Sequence, residues 1–252
     1  ILYPALPCGE AVCVRDADET ATGDYGITDS GDFRTLEEEG INIDPDGSVI
    51  TLKTNILCNQ SNQFDCHVYL DHINLSNKKL LIETTDTRSI VLHLDQPVAY
   101  PNDPHFSRAI RLSGSAKICG VNPGSTTCNG KPEQLVIMAS GGSAPADACN
   151  TKVRSLSFKD DNLPYALLYL PTGTIRPNNA TLSGLAWASS ICVVDENNEP
   201  ATFTLNTSQS GIPIVQRAND NWGWLSRFNY PGYGRMVTRA IRGTSLDTFE
   251  RW

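Results

Sequence analysis

Between Val49 and Val194 the chain is written as short apolar runs separated by Gly, Asn, Asp, Ser and Pro, and this punctuation constrains the fold more than any other feature. The runs include Val49-Ile50-Thr51-Leu52, Val68-Tyr69-Leu70, Ile73-Asn74-Leu75, Leu80-Leu81-Ile82 and Ile90-Val91-Leu92-His93-Leu94. They continue with Ile110-Arg111-Leu112, Leu135-Val136-Ile137-Met138, Val153 to Phe158, Ala166 to Leu170 and Leu182 to Val193. β-Branched and aromatic residues fill them, which favours strands. Nowhere do apolar residues hold the i, i+3, i+4, i+7 spacing over three turns, so helix is expected only at the termini, with Arg34 to Glu39 and Val237 to Ile241 as candidates.

So many short strands fit either an antiparallel β-sandwich or barrel, or a parallel β-solenoid that buries a row of side chains per coil. Ile110-Arg111-Leu112-Ser113-Gly114-Ser115-Ala116-Lys117-Ile118 and Thr181-Leu182-Ser183-Gly184-Leu185-Ala186-Trp187-Ala188-Ser189-Ser190-Ile191 share an apolar-x-Leu-Ser-Gly phrase. Glycine there allows a tight corner, and the small residues after it allow coils to stack closely. The reading is an all-β chain whose core, residues 49–194, is a right-handed parallel β-helix, with an antiparallel sandwich as the alternative. An acidic arm, residues 1–48, precedes this core, and an aromatic, basic tail, residues 195–252, follows it. Leu182, Leu185 and Ile191 are expected to point inward, and Gly184 to mark a corner.

The eight cysteines are Cys8, Cys13, Cys58, Cys66, Cys119, Cys128, Cys149 and Cys192. None forms a CxxC, and the nearest approach to a zinc knuckle, Cys66 beside His67, puts two side chains of an extended strand on opposite faces. An even count without metal spacing reads as disulfides and an oxidising compartment. Local loops close with the least entropy, which favours Cys8–Cys13, Cys58–Cys66 and Cys119–Cys128 and leaves Cys149 with Cys192. The chain begins at Ile1 without a methionine, a basic leader or a span of about twenty apolar residues. It is therefore read as a mature or excised piece with no membrane span, placed at the cell surface or outside it.

A net charge of -8 hides a strong asymmetry. Glu10 to Asp46 carries twelve acidic residues against only Arg15 and Arg34, whereas Arg217, Arg227, Arg235, Arg239, Arg242 and Arg251 are interleaved with Trp222, Trp224, Phe228, Tyr230, Tyr233, Phe249 and Trp252. Arginine alternating with aromatics can stack on bases, but an acidic protein in an oxidising compartment is a poor partner for nucleic acid. A packing surface within the chain or between copies is the better reading. Isolated apolar residues of the arm, Ile1, Leu2, Tyr3, Leu6, Ile27, Phe33 and Leu36, need a surface to bury them. The expected subunit contact joins Ile1, Leu2, Tyr3 and Phe33 of one copy to Trp222, Trp224, Arg227, Arg235, Arg239 and Trp252 of the next, and a heterologous contact that does not close builds a filament.

The phrases Tyr165-Ala166-Leu167-Leu168-Tyr169-Leu170-Pro171-Thr172-Gly173-Thr174-Ile175 and Thr181 to Ile191 resemble the β-helical ectodomains of bacterial type IV pilin-like proteins. The tail, from Asn221-Trp222-Gly223-Trp224-Leu225-Ser226-Arg227-Phe228-Asn229-Tyr230-Pro231-Gly232-Tyr233-Gly234-Arg235 to Thr244–Trp252, is similar to the ending of the cyanobacterial hormogonium polysaccharide secretion protein A family. The resemblance implies a surface protein linked to slime secretion and gliding motility. It reaches no catalytic motif and carries over no active residue. Unlike a pilin, this chain lacks an amino-terminal apolar helix.

Chemical candidates are sparse. Asp160-Asp161 offers paired carboxylates of the kind that glycoside hydrolysis requires, but Asn162 and Pro164 make an exposed turn the stronger reading. His67, His72, His93 and His105 stand without a Gly-x-Ser-x-Gly, His-Glu-x-x-His or phosphate-cradling loop, so no catalytic residue is assigned and no enzyme is expected. Asn42, Asp44 and Asp46 before Gly47 resemble half a calcium loop, but Lys53 stands where the bidentate glutamate belongs. An Asp-Gly turn is therefore preferred, and no cofactor is expected. The sequons at Asn59, Asn74, Asn179 and Asn206 carry meaning only in a eukaryotic secretory protein. The function expected is a structural subunit of an extracellular filament or slime layer. A polysaccharide-binding adhesin using Trp187, Trp222 and Trp224 is the runner-up, and a polysaccharide lyase or hydrolase comes third.

Overall fold

Alternation of side chains about a pleated backbone, with one set inward, organises the chain into strands that stack on segments far away in sequence. The structure, a computed structural model, describes residues 27–28, 40–58, 65–70, 72–86, 89–94, 108–139, 155–195, 199–209 and 212–213. The strands are β1 (Ile27–Thr28), β2 (Ile41–Ile43), β3 (Val49–Lys53), β4 (Asp65–Leu70), β5 (Ile73–Leu75), β6 (Lys79–Glu83), β7 (Ser89–Leu94) and β8 (Arg108–Leu112). They continue as β9 (Lys117–Val121), β10 (Leu135–Ala139), β11 (Ser155–Lys159), β12 (Tyr165–Asn178), β13 (Ala180–Ile191), β14 (Phe203–Asn206), β15 (Ser208–Gln209) and β16 (Ile212–Pro213). The chain forms two compact units, Ile1–Asn206 and Thr207–Trp252. In the second, the described residues pair β15 with β16 antiparallel.

In the first unit the chain visits three ranks in turn. β3, β6 and β9 stack in parallel, with Ile50 opposite Leu80 and Leu80 opposite Ile118. β4, β7, β10, β12 and β13 form the second rank, and β1, β5, β8, β11 and the latter part of β12 form the third. The second and third ranks join through the long β12 into a ten-stranded sheet, and the first, with β2, is a four-stranded sheet. Inward rows such as Ile90, Leu92, Leu94 against Leu135, Ile137, Ala139 are buried to within a few per cent and form one core. Burying each large aliphatic side chain contributes roughly 1.5–3 kcal/mol.

All-β with a large parallel sheet is therefore the architecture, and an antiparallel sandwich does not describe it. Antiparallel pairing among the described residues is confined to β2–β3, β15–β16 and two isolated bridges. The closed solenoid needs correction, because the large sheet curls into a half-barrel. The first rank stops at β9: where earlier rungs spend a strand, the chain spends only the turn Asp160–Pro164, from which the Asn162 carbonyl accepts the Ile118 N–H at 2.8 Å. Helix is also not confined to the termini, since Thr54–Leu57 makes one turn of α-helix between β3 and β4 and Pro132–Gln134 makes a 3₁₀ turn before β10. The terminal helix candidates, 34–39 and 237–241, lie outside the described residues.

Candidate functional site

The two Leu-Ser-Gly phrases occupy different places. Gly114 is at a corner between β8 and β9, with φ +56° and its backbone against Ser76 of the rung beneath. Gly184 lies inside β13, opposite Ala166, where a Cβ would overlap the Ala166 carbonyl oxygen. The glycine expected to turn a corner is instead required by the close approach of two strands. Leu182 is fully buried in the core, but Leu185, expected inward, stands opposite Leu167 on the outward face that also carries Tyr169 and Trp187, and Ile191 is 45% exposed although it is opposite the fully buried Ile175. Ile191 keeps the inward register, and among the described residues no rung lies above it.

That exposure marks the last rung as the most distinctive surface of the first unit. Among the described residues the exposed large hydrophobics are Trp187 at 52%, Ile191 at 45% and Leu205 at 37%, all on β13 and β14. Leu205 continues the row of the buried Leu182. Ala186 and Ala188 continue the rows of Leu168 and Leu170 and pack only partly against the core. β14 pairs with β13 only over Ala180–Ser183, and among the described residues no strand flanks Gly184–Ile191 on the side away from β12. In the outward row of the second rank, His93, Met138 and Tyr169 are buried and Trp187 is exposed, its ring meeting Tyr169 edge-on at 6.0 Å. Covering the exposed remainder of Ile191 and Leu205 would contribute roughly 1 kcal/mol each.

A polar cluster braces the loop after β9. Buried Thr84 donates its hydroxyl to Gln134 Oε1 at 2.7 Å, and Asn129 Nδ2 donates to both Thr84 Oγ1 and Gln134 Oε1 at 3.0 Å. Gln134 Nε2 reaches Asp86 at 3.1 Å, and Asp86 also pairs with Lys131. The Gly124 N–H donates to Glu83 at 2.9 Å. Together with the Cys119–Cys128 disulfide these bonds lash the loop after β9 onto the outer face of β6 and β9. Sequence reading missed this cluster, and missed that buried Asn162 holds the β11–β12 corner by donating to the Ala116 carbonyl. Neither polar set belongs to a spacing pattern visible along the chain.

Two expected disulfides are present, Cys58–Cys66 and Cys119–Cys128. Cys192 is also disulfide-bonded, and Cys8, Cys13 and Cys149 lie outside the described residues. Asp160 and Asp161 occupy an exposed turn, with Asp160 at φ 48° and Asp161 paired to Lys117, whose hydrogen bond holds its carboxyl below the usual 3.8. Asn42 is on β2, in reach of Lys53 Nζ at 2.8 Å. Asp44 and Asp46 shape the β2–β3 turn: the Gly47 N–H donates to the Asp44 carbonyl at 2.7 Å, and the Ser48 N–H donates to the Asp46 carboxylate at 2.9 Å. That bond from Ser48 lowers the Asp46 pKa from its ordinary value. No group of three metal-ligating side chains occurs among the described residues. His72 and His93 are buried, and His105 lies outside the described residues. Of the sequons, Asn179 uses its Oδ1 to accept from the Thr202 N–H and hydroxyl, which fixes the start of β14.

Ile27 of the acidic arm is fully buried on the chain's own core, pairing with Ile73 and donating its N–H to His72 O at 3.0 Å. The predicted subunit contacts Ile1, Leu2, Tyr3, Phe33, Trp222, Trp224, Arg227, Arg235, Arg239 and Trp252 all lie outside the described residues. A small open cleft beside β11 and β12 is lined in part by Lys159, Arg176, Asn178 and Asp195. No helix among the described residues is long and apolar enough to cross a membrane. No family model matches the chain, and neither a curated protein nor a solved structure matches it.

Proposed function

We propose that this chain is an extracellular structural protein, a subunit of a surface filament or slime layer linked to polysaccharide secretion and gliding motility. On this reading its core is a right-handed parallel β-helix left incomplete on one side, built for rigidity and for association with further copies. The observation that supports it best is the last described rung, where Trp187, Ile191 and Leu205 are exposed beside a stretch of strand that has no partner on its outer side among the described residues. Stacked β-proteins require capped ends to remain single, because an open edge is a template for another chain. The disulfides suit an oxidising exterior, and the resemblance of the tail to the hormogonium polysaccharide secretion family supplies the link to slime.

Light scattering and negative-stain microscopy of the purified, oxidised chain over a concentration series test this reading. Concentration-dependent growth into ordered particles is the expected result. A chain that remains monomeric at high concentration, yet is retained by the extracellular polysaccharide, would replace it with the adhesin reading.

A further inference from the structure

We propose that the β13–β14 end is a self-complementary interface, at which a second copy of this chain binds across a two-fold axis. The inference rests on the reading above and specifies one of the contacts that assembly would use. Three observations carry it.

First, the exposed large hydrophobics of the described residues are confined to this rung, while the first rung is covered: β2 pairs over β3, β1 pairs over β5, and the inward Cys66, Val68 and Leu70 of β4 are buried. A head-to-tail contact needs apolar surface at both ends, and among the described residues one end alone provides it. Second, β13 and β14 carry no charged residue over Ala180–Ile191 or Phe203–Asn206. In a two-fold contact each residue meets the same surface of its copy, so any charge near the axis would face its like. A chargeless strand pair removes that penalty, whereas a heterologous partner would place no such restriction on it. Third, Gly184–Ile191 has an unpaired edge among the described residues, and two copies related by a two-fold axis can pair such edges antiparallel. The small inward Ala186 and Ala188 allow the opposing copy to approach closely.

The test uses the full oxidised chain. Ser189, exposed on the open edge, is replaced by cysteine and treated with a short thiol-specific bifunctional cross-linker, with the parent chain as control. A covalent dimer formed between the two introduced cysteines is expected, because only a two-fold contact brings a position near its own copy. In parallel, Ile191→Lys with Leu205→Lys is compared with the parent by sedimentation. Both sites are exposed, so folding should persist, and the circular dichroism spectrum checks this; Ser189→Lys is a milder second variant. A tenfold or greater weakening of the first association step supports the inference. Assembly of the lysine variants equal to that of the parent, or assembly without the Ser189→Cys cross-link, would overturn it and leave the surface-assembly reading standing. A parent chain that is monomeric at all concentrations would overturn both.

Discussion

Replacing Gly114 by alanine asks whether the corner between β8 and β9 is fixed by local backbone geometry alone or also by the rung beneath. At φ +56° a Cβ on Gly114 overlaps the Ser76 carbonyl oxygen and lies 2.8 Å from Asn77 Oδ1. Gly124, in the loop after β9, has φ +74° and nothing within 4 Å of such a Cβ, so Gly124→Ala isolates the conformational cost. A left-handed conformation costs an L-residue about 1–2 kcal/mol. Gly114→Ala carries that cost plus displacement of a backbone carbonyl inside a packed stack, about 1–3 kcal/mol more. The expected losses are therefore about 1–2 kcal/mol at Gly124 and about 2–5 kcal/mol at Gly114. At about 2–4 °C per kcal/mol for a chain of this size, the Gly114 variant should melt roughly 4–20 °C below the parent. Urea unfolding of the oxidised proteins, followed by circular dichroism, measures both. Equal losses at the two glycines would refute the reasoning, because they would show that the Ser76 rung does not constrain the corner.

Gly184→Ala has no left-handed backbone to strain, yet its Cβ overlaps the Ala166 carbonyl. It should lose about 1–3 kcal/mol in the same assay, and a neutral outcome would mean that β12 and β13 separate easily. Replacing Cys119 and Cys128 together by serine opens a loop with a sequence separation of 9 and should cost about 2–3 kcal/mol by the chain-entropy estimate, measured as a lower urea midpoint. An unchanged midpoint would assign the loop's order to the Thr84–Asn129–Gln134 bonds instead. The pKa of Asp161 is lowered by the hydrogen bond from Lys117. A depressed folded-state value means that the pair stabilises the fold above the unfolded value of 3.8 and that this contribution is lost as pH falls through the lower folded one. Lys117→Met should thus lower stability by roughly 0.2–1 kcal/mol near neutrality, with the gap from the parent closing in acid. A gap that stays constant in urea midpoints from neutral to strongly acid pH would refute the assignment.

The sequence by itself determined the β class and much of the covalent frame. Strand runs and their punctuation are local properties, so Ile50-Thr51-Leu52 and Leu80-Leu81-Ile82 read as strands wherever they lie, and nearby cysteines such as Cys58 and Cys66 or Cys119 and Cys128 find each other because short loops close cheaply. The tertiary structure alone decided what each strand faces. Parallel pairing sets Ile73 against Ile110 and Leu156 against Ile175, and nothing local to any of them encodes the match. The same Leu-Ser-Gly phrase could therefore become a corner at Gly114 and a strand interior at Gly184, and an apolar residue in correct inward register could remain exposed at Ile191, above which no rung lies among the described residues. Burial belongs to the stack rather than to the residue, which is why the candidate interface at β13 and β14 was invisible until the last rung was in place.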